Sequence, residues 1–397
     1  MRPRPRLRAA VVGGSIAGCA TAIAIRRAGN DVTVFERSAG RLQTRGLGIA
    51  IPGPLRDQLI AAGYLDESMP LRRLTERIWL VRRPGRPDSR ELWRQKSPVL
   101  ACNWGLLWQS LRKRVDGAEY LTDAAVSAVR RLPDGRATVQ RKGSGEMAYD
   151  LVVGADGYRS LVRESLLPGC RPNYAGYALW RASVPLSALS DPARVMAVLD
   201  DAYLTIVFPG GHAIIYLIPA NDPGSELRLN WAIYARPPAE PPSDEITMTR
   251  HIQDLVARFF PAEWIEPVMA AETIAVHPVH DLKIPLVADA PFLLAGDAST
   301  ITRPHTASGA VKALQDALCL ERALSSSHRP AQALTRYQQE RCAEGNRLVD
   351  LGRAIGREQV EHTPDWTRMG PSQMDQWTRE TLDGHNHYLY GNISRSS

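Results

Sequence analysis

The length and composition of the chain exclude several classes of protein. With 397 residues, of which 44% are hydrophobic and 23% charged, the chain is long enough for two or three domains and apolar enough to bury a core. This excludes a small disulfide-stapled scaffold and a wholly disordered chain. Lys and Arg number 49 against 42 Asp and Glu, an excess of 7 that permits anionic ligands without requiring nucleic acid.

The cysteines give no sign of a metal site or a disulfide framework. They are widely and irregularly spaced, without a C-x-x-C pair, at Cys19, Cys102, Cys170, Cys319 and Cys342. Reduced thiols in a cytoplasmic protein fit this pattern best. No apolar run reaches the roughly 18 residues that span a bilayer, and the run after the basic MRPRPRLR start is punctuated by glycine, unlike a signal sequence. We therefore expect no membrane partner.

The amino-terminal segment predicts a βαβ unit. An apolar run over residues 7–12 stops at Gly13 and Gly14, and the following residues repeat apolar side chains at helical spacing up to Gly29. A second β-branched run, VTVF, then ends at Glu36. Strand, glycine turn, helix and strand in this order indicate a parallel sheet.

The rest of the chain predicts an antiparallel sheet, further buried strands and long helices. Alternating apolar segments recur over residues 77–81, 204–208, 213–218 and 227–234. An amphipathic helix is expected over residues 106–115 and a buried strand with a turn over residues 150–157. Near the end, the sequence predicts a strand over 291–298 and helices over 308–325 and 330–358. The last forty or so residues lose this periodicity, although Trp366 and Trp377 suggest that the tail packs on the protein.

The first glycine cluster predicts a dinucleotide site. In Gly13-Gly14-Ser15-Ile16-Ala17-Gly18, Ser15 stands where the second glycine of G-x-G-x-x-G is expected. Serine is the next-smallest polar residue, and the helix amides behind it can still hold an anion. Glu36 lies at the end of the second strand, where a carboxylate accepts ribose hydroxyls. The pattern favours an adenine dinucleotide, NAD or FAD, over a turn without a ligand.

Two later motifs decide between these cofactors. DLVVGADGYRSLVR at residues 150–163 and GDA at residues 296–298, followed by RPHTASGA at residues 303–310, come after the first cluster. Together the three resemble the single-component flavin-dependent aromatic hydroxylases typified by para-hydroxybenzoate hydroxylase and salicylate hydroxylase. YAGYALWR at residues 174–181 and LNWAIY at residues 229–234 make the resemblance closest to the branch containing 2,6-dihydroxypyridine hydroxylase. The likeness runs from residue 8 to about residue 355.

The resemblance implies an α/β (α+β) fold of two domains. A Rossmann-like FAD-binding domain would comprise residues 1–75, 100–170 and 286–325. A mostly antiparallel β-sheet domain, inserted as residues 76–99 and 171–285, would bind the substrate. Residues 326–397 would form a carboxyl-terminal helix and tail.

The resemblance also implies the activity. FAD reduced by NADH or NADPH would react with O2 to a C4a-hydroperoxide, whose distal oxygen is transferred to an electron-rich ring. The reaction would hydroxylate, or oxidatively rearrange, an aromatic or heteroaromatic small molecule without a metal. The sequence leaves open the substrate, the choice of NADH or NADPH, a catabolic or secondary-metabolic pathway, and a monomeric or homodimeric state.

The family pattern assigns residues to the cofactor. Asp297 would hold a ribityl hydroxyl, and the helix that begins at Ser308, Gly309 and Ala310 would direct its free amides to the flavin N1 and O2 edge. Asp156 lies in the motif that the family uses for both FAD and NAD(P)H. The remaining implied cofactor contacts are Arg37, Arg45, Val126, Gly296 and Pro304.

One cofactor position departs from the family. Where para-hydroxybenzoate hydroxylase has an arginine that opens a helix and touches FAD, this chain has Trp104. The indole either stacks on the adenine or fills the core.

The substrate pocket has four candidate residues. His305 follows Pro304 in the loop that the family places beside the flavin, and it is the candidate that hydrogen-bonds or deprotonates the substrate, with a purely structural hydrogen bond as the alternative. Arg181, His212 and Tyr216 lie on the predicted middle sheet, where they line the pocket or only pack.

Two other classes of function are alternatives to the monooxygenase: a different flavin enzyme and a nucleic-acid-binding protein. A flavin-dependent reductase or a halogenase would use the same scaffold, but the chain lacks the W-x-W-x-I-P segment of halogenases. The arm with Arg2, Arg4, Arg6 and Arg8 would allow nucleic-acid binding. Because a charged solvated terminus is far more common, we expect no nucleic-acid partner.

Overall fold

Strands and helices alternate irregularly along the computed structural model, which describes residues 6–39, 42, 47–143, 145–221, 226–238, 245–327, 329–383, 385 and 387–390. Within these ranges the strands are β1 (Arg8–Val12), β2 (Asp31–Phe35), β3 (Gly48–Ile51), β4 (Arg72–Arg82), β5 (Ser89–Asn103), β6 (Glu119–Leu121), β7 (Val126–Arg131), β8 (Ala137–Arg141), β9 (Glu146–Tyr149), β10 (Leu151–Gly154), β11 (Asn173–Pro185), β12 (Ala202–Phe208), β13 (Gly211–Ile218), β14 (Arg228–Ala235), β15 (Ala275–Asp281), β16 (Ala288–Asp289) and β17 (Phe292–Leu294). The α-helices are α1 (Ile16–Arg27), α2 (Gly53–Ala61), α3 (Trp104–Arg112), α4 (Leu161–Leu166), α5 (Pro192–Leu199), α6 (Glu245–Phe259), α7 (Ala262–Met269), α8 (Ser308–Ser326), α9 (Pro330–Gly356) and α10 (Pro371–Leu382).

The predicted βαβ unit is the centre of a six-stranded sheet. The strand order is β16-β17-β10-β1-β2-β6, with β17, β10, β1, β2 and β6 all parallel. The helix α1 is rich in alanine and buries nine of its twelve residues, so that α8 packs closely against it. In a parallel sheet the carboxyl ends of the strands lie at one edge, where α/β proteins bind their ligands.

A larger, twisted sheet forms the second part of the molecule. Its order is β15-β11-β14-β13-β12-β4-β5-β3, and all neighbours are antiparallel except β12 and β4. Alternating residues of each strand point to opposite faces of this sheet, and each face packs in an apolar cluster. Trp180 and Trp231 belong to the apolar cluster under α6 and α7, whereas Trp79 and Tyr203 belong to the cluster on the other face.

The tail covers that other face. After α9 a π-helical turn (Arg357–Glu361) leads to α10, and Trp366 and Trp377 contact Trp79 with ring centroids 6.4 and 5.7 Å apart. The expectation that these tryptophans pack on the protein is therefore confirmed. The helix α10 was not predicted, although residues at helical spacing form its buried face: Met374, Trp377, Thr378, Thr381 and Leu382.

The fold class is confirmed, and two of the expected domain limits fall inside strands of the large sheet. The limit between residues 75 and 76 falls inside β4, and that between 99 and 100 falls inside β5. The strand β3 pairs with the end of β5 over residues 100–103. The large sheet therefore extends into the segment that was assigned to the FAD-binding domain. A separate three-stranded sheet, β7-β8-β9, was also not predicted.

All five cysteines are free thiols, four of them buried. Within the described ranges, no helix combines the length and apolarity that crossing a membrane requires.

Candidate active site

A cavity of about 880 Å³ extends from the edge of the parallel sheet to one face of the eight-stranded sheet. Its first half is lined by the carboxyl ends of β1, β2, β10 and β17 and by the amino end of α8. The structure brings together here most of the residues that the sequence assigned to the cofactor: Gly13, Ser15, Ile16, Ala17, Glu36, Arg37, Trp104, Val126, Asp156, Gly296, Asp297, Pro304, Ser308, Gly309 and Ala310.

The turn after β1 is shaped by two glycines. Gly13 has a φ of +101°, and a Cβ on it would lie 2.4 Å from the carbonyl oxygen of Ala155. Gly18 does not line the cavity. A Cβ on Gly18 would lie 1.8 Å from the carbonyl oxygen of Gly13, so glycine is what allows α1 to begin against the turn. These are the steric reasons for glycine that the dinucleotide pattern anticipates.

The carboxylate of Glu36 is fixed at the wall of the cavity. Its Oε2 accepts a hydrogen bond from the Gly14 amide and its Oε1 one from the Ser38 amide, both at 2.8 Å. Two backbone donors hold the carboxylate in one orientation. Its position at the end of β2 suits a group that accepts hydrogen bonds from ribose hydroxyls.

A buried lysine supports the turn that carries Asp297. The Lys312 ammonium, 1% exposed, donates to the Gly296 carbonyl oxygen (2.6 Å) and to Ser299 Oγ (2.9 Å). It also faces Asp316, which accepts from the Gly296 amide (2.9 Å) and pairs with Arg341 (2.6 Å). This network was not predicted, although Lys312 and Asp316 are four residues apart in a predicted helix, a spacing at which opposite charges pair.

The second and third motifs are joined by Arg163. Its guanidinium donates to the carbonyl oxygens of Tyr158 (2.5 Å), Asp297 (3.3 Å) and Ala298 (3.1 Å). The Asp297 carboxyl itself projects into the cavity, and the surrounding protein raises its pKa above the usual value. Two buried cations, Arg163 and Lys312, therefore stabilise the turn that carries Asp297.

Asp156 has a structural partner as well as a place in the cavity. Its carboxylate accepts from Ser160 Oγ (2.5 Å) and from the Leu161 amide (2.7 Å), and so caps the first turn of α4. Trp104, in contrast, is half-buried: it borders the cavity and also packs against the apolar core around the parallel sheet. Arg45 lies outside the described residues.

The amino end of α8 opens onto free space. A Cβ on Gly309 would meet no described atom within 4 Å, although the residue lines the cavity. Together with the carboxylates of Glu36 and Asp297, these helix amides form a donor and acceptor set that fits FAD: carboxylates for ribose and ribityl hydroxyls, and amides with a positive dipole end for the ring edge.

Changing Gly309 to alanine tests this fit. Because the space beside Gly309 is free of protein, the Gly309→Ala variant should fold at least as stably as the wild type, with a gain of up to about 1 kcal/mol from helix propensity. The same methyl group would intrude on the flavin, so we expect FAD to bind at least about tenfold more weakly. Thermal unfolding of the apoprotein and fluorescence titration with FAD measure the two effects. Weaker FAD binding together with lost apoprotein stability would contradict the assignment.

A cluster of buried rings borders the second half of the cavity. His305 Nε2 and the Tyr177 hydroxyl are 2.6 Å apart, and the ring centroids of His305 and Tyr234 are 4.4 Å apart. Burial holds the pKa of His305 well below its usual range, so the imidazole is neutral near pH 7. His212 stacks on Tyr234 at 4.6 Å, and burial lowers its pKa to about 3.

Three of the four predicted pocket residues line the cavity. His305, Arg181 and Tyr216 do so, and Arg181 Nη2 donates to the Gly48 carbonyl oxygen at 2.6 Å. The fourth predicted pocket residue, His212, is fully buried and is not part of the cavity lining. Its neighbour Tyr234 takes that place, because both residues lie on one face of paired strands and the larger ring of Tyr234 covers the imidazole.

Comparison with known proteins identifies the family. Residues 6–351 match the family described as FAD binding domain, and the chain belongs to this family. It is 28% identical to 2,6-dihydroxypyridine 3-monooxygenase of Paenarthrobacter nicotinovorans over 86% of this chain and 89% of the relative. It is 30% identical to 3-amino-4-hydroxybenzoate 2-monooxygenase of Streptomyces cremeus over 97% and 95%. The solved structure of 2,6-dihydroxypyridine-3-hydroxylase from Arthrobacter nicotinovorans superposes with a TM-score of 0.82 at 23% identity, covering 93% and 98% of the two chains.

These findings confirm the class predicted from the sequence. The protein is an FAD-dependent monooxygenase, and NAD(P)H and O2 are its co-substrates. The resemblance to the 2,6-dihydroxypyridine hydroxylase branch is likewise confirmed. The roles of the individual site residues are proposals.

Proposed function

We propose that the enzyme hydroxylates, or oxidatively rearranges, a small aromatic ring that carries a hydroxyl or amino group. The observation that carries this proposal is that one continuous cavity joins the FAD half to the face of the large sheet. When bound, FAD supplies reduction by NAD(P)H and activation of O2. The relatives named for dihydroxypyridine, 3-amino-4-hydroxybenzoate and kynurenine support an electron-rich aromatic substrate.

The walls of the substrate half suit this chemistry. Leu179, Ile214 and Ala232 present apolar side chains to the cavity, and Tyr216 and Tyr234 present rings. Such walls exclude water and hold an aromatic ring flat against them.

We propose that His305 donates a hydrogen bond to an oxygen of the substrate. Arg303 Nη1 lies 3.4 Å from the Tyr177 oxygen and can only donate, which directs the Tyr177 hydroxyl proton toward His305 Nε2. The ring proton of neutral His305 is then on Nδ1, a buried atom that has no hydrogen-bond partner among the described residues. A donor at this place would stabilise a phenolate or carbonyl oxygen, so His305 is a hydrogen-bond donor rather than a base.

Two substitutions distinguish the nitrogens of His305. His305→Asn keeps a donor near the Nδ1 position, whereas His305→Gln keeps one near Nε2 and loses the first. We expect kcat/KM for ring hydroxylation to fall about 10- to 100-fold in His305→Gln and less in His305→Asn. FAD content, measured by absorbance, should be unchanged in both. Equal losses in the two variants would contradict the role of Nδ1.

Aerobic turnover with a substrate panel tests the proposed function. Hydroxylated and aminated pyridines, quinolines, phenols and benzoates are added to the holoenzyme with NADH or NADPH while O2 is monitored. We expect at least one ring to accelerate NAD(P)H oxidation with matching O2 consumption and an oxygenated product. Ring-dependent NAD(P)H oxidation that proceeds equally under argon would instead establish a reductase.

We also propose that the enzyme acts in the cytoplasm as a monomer or homodimer, without nucleic acid or membrane. The five free thiols support a reducing compartment. Light scattering during size-exclusion chromatography tests the size, and a larger assembly would contradict it.

A further inference from the structure

A buried arginine borders the substrate half of the cavity without a carboxylate partner. The Arg77 side chain lies in β4, lines the cavity and is 1% exposed. Its Nε donates to Thr205 Oγ1 at 2.7 Å. Among the described residues, no Asp or Glu forms an ion pair with it. An unpaired charge in such a place is costly, so it calls for a functional explanation.

Three aromatic rings hold this guanidinium in place. Arg77 Cζ lies 4.0 Å from the ring centroid of Trp79, 5.0 Å from that of Tyr390 and 5.7 Å from that of Tyr203. Hydrogen bonds fix two of the rings: the Tyr203 hydroxyl is 2.6 Å from Ser97 Oγ, and the Tyr390 hydroxyl accepts from Gln359 at 2.9 Å. Cation–π contacts stabilise the guanidinium without neutralising its charge. The site is therefore a rigid cation that can still accept an anion.

The carboxylates of the described cavity lining lie in its cofactor half, where Arg37 and Arg159 also line it. The carboxylates of the described lining are Glu36, Asp156 and Asp297, which all follow strands of the parallel sheet. The face of the large sheet contributes Arg77 and Arg181 to the lining and, in its described part, no Asp or Glu. The Arg77 charge also acts on the ring cluster, since it lowers the pKa of both His212 and His305. The substrate half is thus positive as well as aromatic.

We propose that Arg77 binds a carboxylate of the substrate, and that the substrate is an aromatic acid. A guanidinium presents two parallel N–H donors that match the two oxygens of a carboxylate. The rings around Arg77 exclude water from that pair, which strengthens it. Arg77 is therefore the residue that selects acids over neutral rings. This inference rests on the proposed function, because it concerns the substrate of the same cavity.

Paired ligands and variants test this assignment. Isothermal titration calorimetry of the oxidised holoenzyme compares 3-amino-4-hydroxybenzoate, 3-hydroxybenzoate and 4-hydroxybenzoate with their carboxamides, in the wild type and in Arg77→Met, Arg77→Lys and Arg73→Met. Arg73 is the matched control, because it is exposed on the same strand and does not line the cavity.

We expect the wild type to bind at least one acid about 10- to 100-fold more tightly than its amide. Arg77→Met should lose that preference while binding the amide as before, Arg77→Lys should retain part of it, and Arg73→Met should leave it unchanged. Because each acid and its amide carry the same phenol, a role of Arg77 toward the phenolate would weaken both equally.

Three results would overturn the inference: no preference for any acid in the wild type, the same loss for acid and amide in Arg77→Met, or the same loss in Arg73→Met. If Arg77→Met does not fold, the wild type and Arg77→Lys decide. The proposed function is judged separately by O2 consumption with neutral rings. Turnover of amides without an acid preference would leave that function intact and remove only the role of Arg77.

Discussion

Gly18→Ala should abolish FAD binding and destabilise the protein by about 3 kcal/mol or more. The added Cβ would lie 1.8 Å from the carbonyl oxygen of Gly13, which is backbone and cannot swing aside. Gly13 is itself confined, because its own Cβ position is 2.4 Å from the carbonyl oxygen of Ala155. Relief would require α1 to move away from the turn that faces the dinucleotide, and α1 is packed between its sheet and α8.

Thermal unfolding and the flavin absorbance of the purified protein measure this effect. The matched control is Gly53→Ala at the start of α2, where a Cβ would meet no described atom within 4 Å and φ is not positive. We expect the control to retain wild-type stability and FAD. Wild-type FAD content in Gly18→Ala would show that the close approach of helix and turn is not required.

Lys312→Met should cost about 3–5 kcal/mol, because it removes one member of a buried charge network. The substitution removes the charged donor of the Gly296 carbonyl oxygen, which then accepts only from the Ser299 hydroxyl and amide. It leaves Ser299 Oγ without its donor and Asp316 with Arg341 as its only cationic partner among the described residues. Since Gly296 precedes Asp297, the turn that presents the Asp297 carboxyl to the cavity loses its support. We therefore expect loss of FAD as well as loss of stability.

Urea unfolding and flavin content of the variant check this expectation. Lys283→Met is the control, because Lys283 makes a 2.6 Å ion pair with Asp350 that is exposed to solvent. Its loss should change stability by less than about 1 kcal/mol. Equal effects of the two substitutions would argue against a special role for the buried lysine.

The cofactor half of the site could be predicted because its residues are local in sequence. Gly13 and Glu36 directly follow buried strands, and Asp156 and Asp297 lie in the short turns that follow β10 and β17. Adjacent parallel strands bring their carboxyl ends to one edge, so strand ends and short motifs suffice to place these residues together. Asp156 shows the limit of this reasoning, since its capping of α4 is visible only in the structure.

The substrate half could not be predicted to the same extent. Its contacts join residues far apart in the chain: His305 meets Tyr177, 128 positions away, and Arg77 meets Thr205 over the same separation. No local pattern records such pairs, because they depend on the register of separate strands. His212 illustrates the consequence: the sequence assigned it to the middle sheet as a pocket candidate, but Tyr234 packs over it and takes its place in the cavity lining.

The packing of the tail was predicted from Trp366 and Trp377, but its part in the site was not. Leu389 lines the cavity and Tyr390 contacts Arg77, and no motif in the sequence assigned either residue to the site. The contacts of Leu389 and Tyr390 depend on the face of the large sheet against which they pack. That face forms only when strands distant in the sequence have paired.

The most direct test of the central claim is mass spectrometry of the product formed by the holoenzyme under ¹⁸O2 with NAD(P)H and an aromatic acid from the panel. An FAD-dependent monooxygenase with the site described above should place one ¹⁸O atom in the product and release the other as water. A product that carries oxygen only from water, or ring-dependent NAD(P)H oxidation with no labelled product, would contradict it.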